Sequence, residues 1–446
     1  LLAGRGIAVT ATDARPAPAL DATETLEGLA AHGVTLALGT DGTGLLEGTD
    51  VVVASPGIPP TALLLAEADR RGIPVVAELE LAFQASSAPW IAITGTNGKS
   101  TTTALTGALL EGAGRDAWVA GNIGTAACER AAQVPASGVI VAEVSSFQLE
   151  RVVTFKPRVA CVLNLTPDHL DRHGSIESYA ALKARVFARQ GATDRAVLNA
   201  DDPATTDWDE RFHFAATPSW FGARGPRTRD VAVGRVDGAI ETEGGELVRV
   251  REGHREVLLP ARALAIPGPH NVSNALAAVA CTLPFGLAAG DVARGLRDFA
   301  GLEHRIEPAG TVTGVRFYND SKATNVDSMR TALLAFDPPL VVIAGGRDKA
   351  GDWESLRALA EERIGRLILL GESSPVIERA WARVPSERAR DLDDAVRRAH
   401  DGAVGLGRAP VVLSPGCASF DLFKDYEDRG RQFKARVAAL AREVGP

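Results

Sequence analysis

The sequence predicts an α/β protein in which mainly parallel sheets are covered by helices. Short apolar runs such as Val51–Ala54, Val139–Ala142 and Leu340–Ala344 alternate with helical stretches along the chain. Polar residues follow directly after many of these runs, at the sheet edge where ligands of parallel sheets bind. A chain of 446 residues is too long for one ordinary core. We therefore predict three domains, at 1–77, 78–300 and 301–446. The first and third are expected to be Rossmann-like, and the second to be a parallel sheet of the P-loop ATPase type.

Composition excludes several classes of function. The net charge of −8 argues against non-specific nucleic-acid binding. No apolar run reaches the roughly 18 residues of a membrane helix, and no signal peptide is visible, so we expect no membrane insertion. Four widely spaced cysteines without metal-type spacing are expected to be buried thiols in a reducing compartment. A cytoplasmic monomer is the expectation.

The individual elements follow from the same alternation of apolar runs and turns. Residues 1–6 resemble the end of a helix, so a first strand and its glycine turn are expected to be missing ahead of them. The polar segment 206–260 is expected to form short antiparallel strands, and Ser273–Thr282 an alanine-rich helix. The other predicted strands are Ile7–Thr10, Ile73–Val76, Val159–Leu165, Ala196–Leu198, Val315–Tyr318, Leu367–Leu370 and Val411–Leu413.

The most informative segment is a glycine-rich turn between a strand and a helix. The apolar run Ile91–Ile93 leads into Gly95-Thr96-Asn97-Gly98-Lys99-Ser100-Thr101, and a helical pattern follows. Backbone N–H groups of such a turn point at phosphate oxygens, Lys99 adds a positive charge, and the Ser100 or Thr101 hydroxyl can reach Mg²⁺. The common pattern has a glycine where this chain has Ile93. We interpret the segment as a shorter nucleotide-binding variant.

Two further polar groups follow strands of the same block. Glu143 ends the run at 139–142 and is placed to hold Mg²⁺, although a capping acid is the alternative. A polar group follows the next strand and consists of Asn164, Asp168, His169 and Asp171. A site role for this group competes with Asp168 as a cap and His169 as a hydrogen-bonded loop histidine. From spacing alone, Lys183 is predicted to be a solvated surface lysine.

The last block carries several polar loops after strands. His304-Arg305 lies at the predicted domain junction, where an arginine can reach a phosphate. Loops at 318–325, 345–349 and 414–421 each follow a strand. One such loop is ordinary, but three in one domain predict a substrate pocket.

Taken together, these motifs resemble the Mur ligase family, which builds the peptide stem of bacterial cell-wall precursors. The resemblance covers essentially the whole chain to Arg431. NDSKATN and SPGCASFD favour the branch that adds D-glutamate to UDP-N-acetylmuramoyl-L-alanine. The motifs are GTNGKST (95–101), GNIG (121–124), EVSSFQLE (143–150), LNLTPDHLDRH (163–173), HNVSNALAA (270–278), LEHRIE (302–307), NDSKATN (319–325) and SPGCASFD (414–421).

The resemblance implies amide formation driven by ATP through an acyl phosphate, with two Mg²⁺ ions. It also implies domain roles: UDP-substrate binding for 1–77 (truncated at its start), ATP binding for 78–300 and D-glutamate binding for 301–446. ATP contacts are implied for Gly95, Thr96, Asn97, Gly98, Lys99, Ser100, Thr101, Asn271, Arg305 and Asp320. Metal ligands are implied at Ser100 or Thr101, Glu143, His169 and Lys183, the last carbamylated; Lys99, Glu143, His169 and Lys183 are thus the implied catalytic set. Substrate contacts are implied for Arg15, Ser55, Asn122, Lys322, Thr324, Lys349, Ser419, Phe420 and Tyr426.

Two departures and three alternatives accompany this interpretation. The missing first strand would remove part of the UDP site, and Tyr426 stands where the family pattern has phenylalanine. A folylpoly-γ-glutamate synthase shares the chemistry but should lack the UDP-binding domain predicted at 1–77. Another muropeptide ligase is a second alternative. A non-catalytic ATP-binding relic is the third, against which the retained charged residues speak.

Overall fold

The computed structural model describes residues 1–20, 22–266, 268–348 and 351–445. It is an α/β protein, as predicted, and its chain divides into two compact units. The first unit comprises Leu1–Thr242, Val248–Val257 and Leu276–Val292. The second comprises Glu243–Leu247, Leu258–Ala275 and Ala293–Pro446.

The strands and helices within these described ranges are numbered in chain order. The strands are β1 (Thr10–Asp13), β2 (Thr35–Leu38), β3 (Val52–Ala54), β4 (Val75–Ala77), β5 (Trp90–Thr94), β6 (Ala117–Gly121), β7 (Val139–Glu143), β8 (Val159–Val162), β9 (Arg195–Asn199), β10 (Thr217–Gly222), β11 (Gly238–Glu241), β12 (Glu246–Arg251), β13 (His254–Pro260), β14 (Glu307–Val312), β15 (Val315–Asn319), β16 (Leu340–Ala344), β17 (Ile364–Leu369), β18 (Ser386–Arg388) and β19 (Val411–Leu413). The helices are α1 (Thr23–Ala31), α2 (Leu63–Arg71), α3 (Glu78–Ala85), α4 (Lys99–Gly112), α5 (Ala127–Arg130), α6 (Ser146–Leu149), α7 (Leu170–His173), α8 (Ile176–Ala184), α9 (Trp208–Arg211), α10 (Thr228–Ala232), α11 (Pro269–Thr282), α12 (Ala289–Asp298), α13 (Val326–Leu334), α14 (Arg357–Arg363), α15 (Ser374–Ala380), α16 (Leu392–Gly405) and α17 (Tyr426–Val444).

A nine-stranded sheet has the order β13-β12-β11-β10-β9-β8-β5-β7-β6. Strands β5, β7 and β8 are buried along their whole length, which explains why their sequences are continuous apolar runs rather than alternating ones. Strand β5 runs parallel to both neighbours, and Ile93 is opposite Glu143 on one side and Cys161 on the other. The carboxyl ends of these three strands therefore meet at one sheet edge, as the sequence predicted.

The segment 206–260 differs from its prediction. Strands β10 and β11 continue the parallel sheet, since β9 pairs parallel with β10 and β10 pairs parallel with β11. The predicted antiparallel arrangement is therefore wrong for these two strands. The connections are long enough to cross over and include the helices α9 and α10, which permits parallel pairing.

The N-terminal strands form two separate parallel pairs, β1-β2 and β3-β4. The predicted strand at Ile7–Thr10 is placed too early in the sequence, because the ladder begins with Thr10 opposite Thr35. Ile7 is exposed and lies just after a short 3₁₀ turn that ends in Gly6. The prediction placed the start of the strand at Ile7 because this residue is apolar.

The six-stranded sheet has the order β14-β15-β19-β16-β17-β18. Its edge strand β14 is antiparallel to β15, while β15, β19, β16, β17 and β18 are parallel. The central strands β15, β19 and β16 end next to one another. The three polar loops predicted from the sequence start at these strand ends.

Two structural findings bear on the expectations from composition. No helix in the described residues is long and apolar enough to cross a membrane. Cys161, Cys281 and Cys417 are buried free thiols, and Cys128 is a half-buried one.

One buried carboxylate fixes α3 to the segment before β8. Glu80 is fully buried and accepts hydrogen bonds from the backbone N–H groups of Val153 (2.9 Å), Thr154 (2.8 Å) and Phe155 (3.2 Å). It also accepts from the Thr154 hydroxyl and from Gln84. Burial raises the pKa of Glu80, but these hydrogen bonds outweigh it and hold the pKa below its usual value.

We expect Glu80→Gln to destabilise the fold by about 2–3 kcal/mol near neutral pH, because an amide cannot accept all of these hydrogen bonds. A carboxylate with a lowered pKa stabilises the fold above its unfolded pKa, and this contribution is lost as the pH falls through the folded value. The destabilisation caused by Glu80→Gln should therefore be much smaller at acidic pH. Urea unfolding near pH 7 and at successively lower pH, continued well below the ordinary glutamate pKa of 4.5, measures both quantities.

Glu78→Gln is the matched control, since burial raises the pKa of Glu78 and the charge there is unfavourable. This variant should leave stability near pH 7 unchanged or slightly increased. Equal losses for the two variants would contradict the role assigned to Glu80.

Candidate active site

The phosphate loop lies between β5 and α4. Gly95 and Gly98 have φ angles of 144° and 84°, which favour glycine. A Cβ atom on Gly95 would also lie 2.9 Å from the Cβ atom of Leu163. The Gly98 cap position of α4 has no capping side chain among the described residues, so the N-terminus of the helix faces the loop. This is the geometry of an anion-binding site.

Two hydroxyls and one lysine complete the loop. Ser100 and Thr101 are buried in the first turn of α4. Lys99 Nζ donates to the carbonyl oxygens of Gly95 (2.9 Å) and Thr96 (2.7 Å). The lysine therefore lies over the loop whose backbone would surround a phosphate group.

The segment after β8 is fixed to this loop by hydrogen bonds. The Asn164 carboxamide accepts from Asn97 N (2.8 Å) and donates to the Asn97 carbonyl (3.1 Å). Thr96 and Thr166 exchange a second pair of hydrogen bonds at 3.0 and 3.1 Å. Asn164 belongs to the polar group predicted after this strand, but its hydrogen bonds to the phosphate loop were not predicted. Its position two residues after β8 was the available signal.

Glu143 provides an oxygen that fits a metal ion. Its side chain is 3% exposed at the end of β7. Oε1 accepts a hydrogen bond from Asn122 Nδ2 (2.8 Å), whereas buried Oε2 has no hydrogen-bond partner among the described residues. An unpartnered buried carboxylate oxygen is costly unless a cation or donor satisfies it. With the hydroxyls of Ser100 and Thr101 on the neighbouring loop, the donor set is oxygen-rich and suits Mg²⁺.

Lys183 is buried, so its prediction from spacing as a surface lysine is wrong. The buried face of α8 comprises Tyr179, Ala180, Lys183 and Ala184, and the lysine is part of this stripe. Lys183 Nζ donates to the Gly95 carbonyl (2.9 Å) and lies 4.4 Å from the centre of the Tyr179 ring. Burial, and then the charge of Lys99, lower the pKa of Lys183 well below its usual value. The pattern missed it because an isolated lysine is usually solvated, whereas this one lies against the phosphate loop.

His169 has an unusual backbone conformation. Its φ of 53° is left-handed, which is uncommon for a residue other than glycine. Its backbone N–H donates to Asp168 Oδ1 (2.9 Å), and its imidazole is about half exposed. The histidine thus follows β8 at the same sheet edge as the phosphate loop.

A second cluster lies in the second unit. Asp320 is buried and accepts a hydrogen bond from the Ser414 hydroxyl (2.9 Å). Burial raises the pKa of Asp320 to about 7, although Ser414 and Arg305 partly offset the effect. Buried Arg305 Nε has no hydrogen-bond partner among the described residues. Asn271 is buried on α11, where its carboxamide oxygen accepts from Asn274 (3.1 Å).

The loops after β15 and β19 are held together by a residue that sequence analysis missed. Arg429 is buried on α17 and donates to the carbonyl oxygens of Ser321 (2.7 Å) and Cys417 (3.2 Å). The same loops carry Lys322, Thr324, Ser419 and exposed Phe420. Lys322 Nζ lies 5.6 Å from the centre of the Tyr426 ring. A buried arginine among backbone carbonyls has no simple sequence signal, because its partners are not identified by residue type.

Three predicted site residues are not joined to these clusters by the described contacts. Arg15 pairs with Asp13 in its own turn at 3.1 Å. Ser55 is exposed directly after β3. Lys349 lies outside the described residues.

Known proteins are similar to this chain over most of its length. The profile described as "Mur ligase middle domain" matches residues 93–282, and "Mur ligase, glutamate ligase domain" matches 304–415. A UDP-N-acetylmuramoylalanine–D-glutamate ligase of Pelotomaculum thermopropionicum is 43% identical over 93% of this chain and 89% of its own length. The ligase of the same name from Geotalea uraniireducens is 40% identical over 98% and 94%.

Solved structures share the fold. A pseudomurein peptide ligase type C from Methanothermus fervidus aligns with a TM-score of 0.57 at 16% identity, covering 98% of this chain and 95% of its own. The UDP-N-acetylmuramoylalanyl-D-glutamyl-2,6-diaminopimelate–D-alanyl-D-alanyl ligase from Acinetobacter baumannii aligns with a TM-score of 0.57 at 20% identity, covering 81% and 77%. The resemblance deduced from the motifs is confirmed: this chain belongs to the Mur ligase family.

Proposed function

We propose that this chain catalyses the ATP-dependent addition of D-glutamate to UDP-N-acetylmuramoyl-L-alanine, with release of ADP and phosphate, in peptidoglycan precursor synthesis. Relatives that are 40–43% identical over nearly the whole chain carry the name of this activity. The structural observation that supports it best is the burial of Glu143 and Lys183 beside a phosphate loop. Such a cluster suits phosphoryl transfer, in which positioned charges do most of the work.

The reaction proceeds in two balanced steps. The carboxylate of UDP-N-acetylmuramoyl-L-alanine is a poor electrophile. One of its oxygens therefore first takes the γ-phosphoryl group of ATP, which forms an acyl phosphate and releases ADP. The amine of D-glutamate then attacks the acyl carbon, phosphate leaves with its bonding electrons, and the new amide nitrogen loses a proton. Lys99 and the N–H groups of the loop hold the β- and γ-phosphates and offset their negative charge.

Two Mg²⁺ ions are part of this proposal. When bound, they neutralise the crowded oxygens of the nucleotide and the substrate carboxylate. Glu143 with Ser100 or Thr101 would hold one ion, and His169 with carbamylated Lys183 the other. The buried, unpartnered Glu143 Oε2 supports the first assignment.

The second cluster is assigned to the nucleoside and the amino acid. Asn271, Arg305 and Asp320 are proposed to contact ATP, and the unpartnered Arg305 Nε supports a polar ligand there. The proposed D-glutamate contacts are Lys322, Thr324, Lys349, Ser419, Phe420 and Tyr426, among which the two ammonium groups suit a dicarboxylate.

The proposed contacts to the nucleotide sugar are Asn122, Arg15 and Ser55. The three-domain division at 1–77, 78–300 and 301–446 remains a prediction. Because the reaction consumes ATP, we infer a cytoplasmic enzyme, and we propose that it acts as a monomer.

The proposed reaction predicts phosphate release that requires ATP, Mg²⁺, UDP-N-acetylmuramoyl-L-alanine and D-glutamate together, and that fails with L-glutamate. Omitting each component in turn from the purified chain measures this directly. Lys99→Ala should lower the rate by at least about 100-fold, because it removes a positioned charge on the transferred group.

Phosphate release without an amino acid would show an ATPase rather than a ligase. Equal use of both glutamate enantiomers would contradict the proposed acceptor pocket. No release under any condition would support the non-catalytic alternative.

The lowered pKa of Lys183 predicts that its neutral amine reacts with CO₂, forming a carbamate anion and releasing a proton. NMR of the protein equilibrated with ¹³C-bicarbonate should show a carbamate carbon, and Lys183→Arg should lack it. Lys99→Arg is the control that retains the signal. A spectrum without this signal in the unsubstituted protein would contradict carbamylation.

The raised pKa of Asp320 predicts a pH-dependent stability in the absence of ligand. The folded chain keeps a proton that the unfolded chain loses above its ordinary pKa of 3.8, so stability falls as the pH rises from there to about 7. Asp320→Asn should remove this slope and be more stable than the parent above pH 7, by about 2 kcal/mol. It should also bind ATP more weakly.

Urea unfolding across this pH range measures the slope. Ser414→Ala is a control that should change the pH profile in the opposite direction to Asp320→Asn. Losing the Ser414 hydrogen bond raises the pKa of Asp320 further, so the fall in stability extends to higher pH instead of disappearing. Parallel pH profiles for all three proteins would contradict the assignment.

A further inference from the structure

Arg172 on α7 connects three segments of the first unit. Its guanidinium forms a two-pronged ion pair with Glu150 at 2.8 and 2.7 Å. It also donates to the carbonyl oxygen of Ile58 (3.1 Å), three residues after Ser55. The remaining face of the guanidinium lies over the Phe147 ring, 4.1 Å from its centre. Its side chain is 14% exposed, so these contacts are largely shielded from solvent.

Phe147 carries the effect of Arg172 to His169. The centres of the Phe147 and His169 rings are 4.9 Å apart, and Phe147 also contacts His173 at 5.4 Å. His173 is itself fixed by a 3.0 Å hydrogen bond between its Nε2 and the Ser146 hydroxyl. The half-exposed His169 imidazole therefore has its ring position set by Phe147, whose own position is set by Arg172.

The backbone of His169 needs such support. A left-handed conformation at a residue with a side chain persists only when its surroundings impose it. The carbonyl of His169 accepts hydrogen bonds from the N–H groups of Arg172 (3.1 Å) and His173 (3.0 Å). Arg172 thus acts on His169 through both its backbone and its side chain.

We propose that Arg172 is a positioning residue that fixes His169 for metal binding and couples it to the loop carrying Ser55. This inference rests on the proposed function, in which His169 holds Mg²⁺ and Ser55 contacts the nucleotide sugar. Binding at the Ser55 loop orders the Ile58 carbonyl, which favours the Arg172 position that supports His169. The coupling is reciprocal, so metal binding at His169 also favours nucleotide-sugar binding.

Lysine cannot replace this arginine. A single ammonium has no planar fork for Glu150 and no flat face for Phe147. The neighbouring Arg151 provides a matched control. It forms an equivalent two-pronged ion pair with Asp69 at 2.9 and 2.7 Å and lines the same cleft as Arg172. It therefore ties together comparable segments but contacts neither Phe147 nor His169 in the described structure.

The test is Mn²⁺ binding to the full chain, followed by electron paramagnetic resonance with a non-hydrolysable ATP analogue, with and without UDP-N-acetylmuramoyl-L-alanine. We expect Arg172→Met to weaken Mn²⁺ binding about tenfold, as is usual when a group that orients a metal ligand is lost. The increase in Mn²⁺ affinity caused by the nucleotide sugar should disappear. Arg172→Lys should resemble Arg172→Met, and Arg151→Met should keep both properties within about twofold of the parent.

Phe147→Leu guards against a folding defect, because it removes the ring and keeps the Arg172–Glu150 pair. Phe147→Leu should lose Mn²⁺ affinity to a similar extent as Arg172→Met. Its thermal unfolding midpoint, compared with that of Arg151→Met, shows whether a folding defect accounts for the loss. Unchanged Mn²⁺ binding in Arg172→Met, or equal loss in Arg151→Met, would overturn the inference. A parent chain that binds no Mn²⁺ would overturn the proposed metal site as well, which separates the two failures.

Discussion

The carboxylate of Glu143 is buried at the end of β7 with one oxygen satisfied by Asn122 and the other without a partner among the described residues. Leaving a charged oxygen in that state costs several kcal/mol unless a cation offsets it. The parallel register places Glu143 opposite Ile93, and the phosphate loop begins two residues later at Gly95. The same loop accepts a hydrogen bond from buried Lys183, so two groups that are unfavourable when buried alone lie against one anion-binding turn. Strand pairing, helix α8 and the segment after β8 all serve to hold this arrangement.

The second unit also buries charged side chains, but it stabilises them through different partners. Asp320 is buried beside Ser414. The hydrogen bonds of buried Arg429 in the described part of the chain go to the Ser321 hydroxyl and to backbone carbonyls rather than to a carboxylate. These groups keep the loops after β15 and β19 in fixed positions before any ligand binds. Preorganised polar groups in a dry environment are what phosphoryl and acyl transfer require, since they need no rearrangement during the reaction.

The sequence predicted what local patterns determine. Apolar runs identified β16 and β19 at their observed bounds, and the glycine turn after Ile93 was recognised because strand, loop and helix each have a local signature. The start of β1 and the parallel direction of β10 were missed, because both depend on which strand becomes the neighbour. Lys183 shows the same limit for the site: its burial follows from packing of α8 against the phosphate loop. Only the match of Lys183 to a lysine of the family that the chain resembles singled it out. Arg172 and Arg429 were not predicted at all. The partners of Arg172 are the Glu150 carboxylate, the Phe147 ring and the Ile58 carbonyl, and those of Arg429 are mainly backbone carbonyls, all of them distant in sequence.

We propose that the unpartnered Glu143 oxygen binds a metal ion at the phosphate loop. The most direct test of this proposal is a crystal structure of the chain with Mn²⁺ and a non-hydrolysable ATP analogue, in which anomalous scattering locates the ion. We expect a peak within direct coordination distance of Glu143 Oε2, with the ion also bound to a hydroxyl of the first turn of α4. Nucleotide phosphates bound at the loop with the ion elsewhere, and Glu143 Oε2 still unligated, would contradict it.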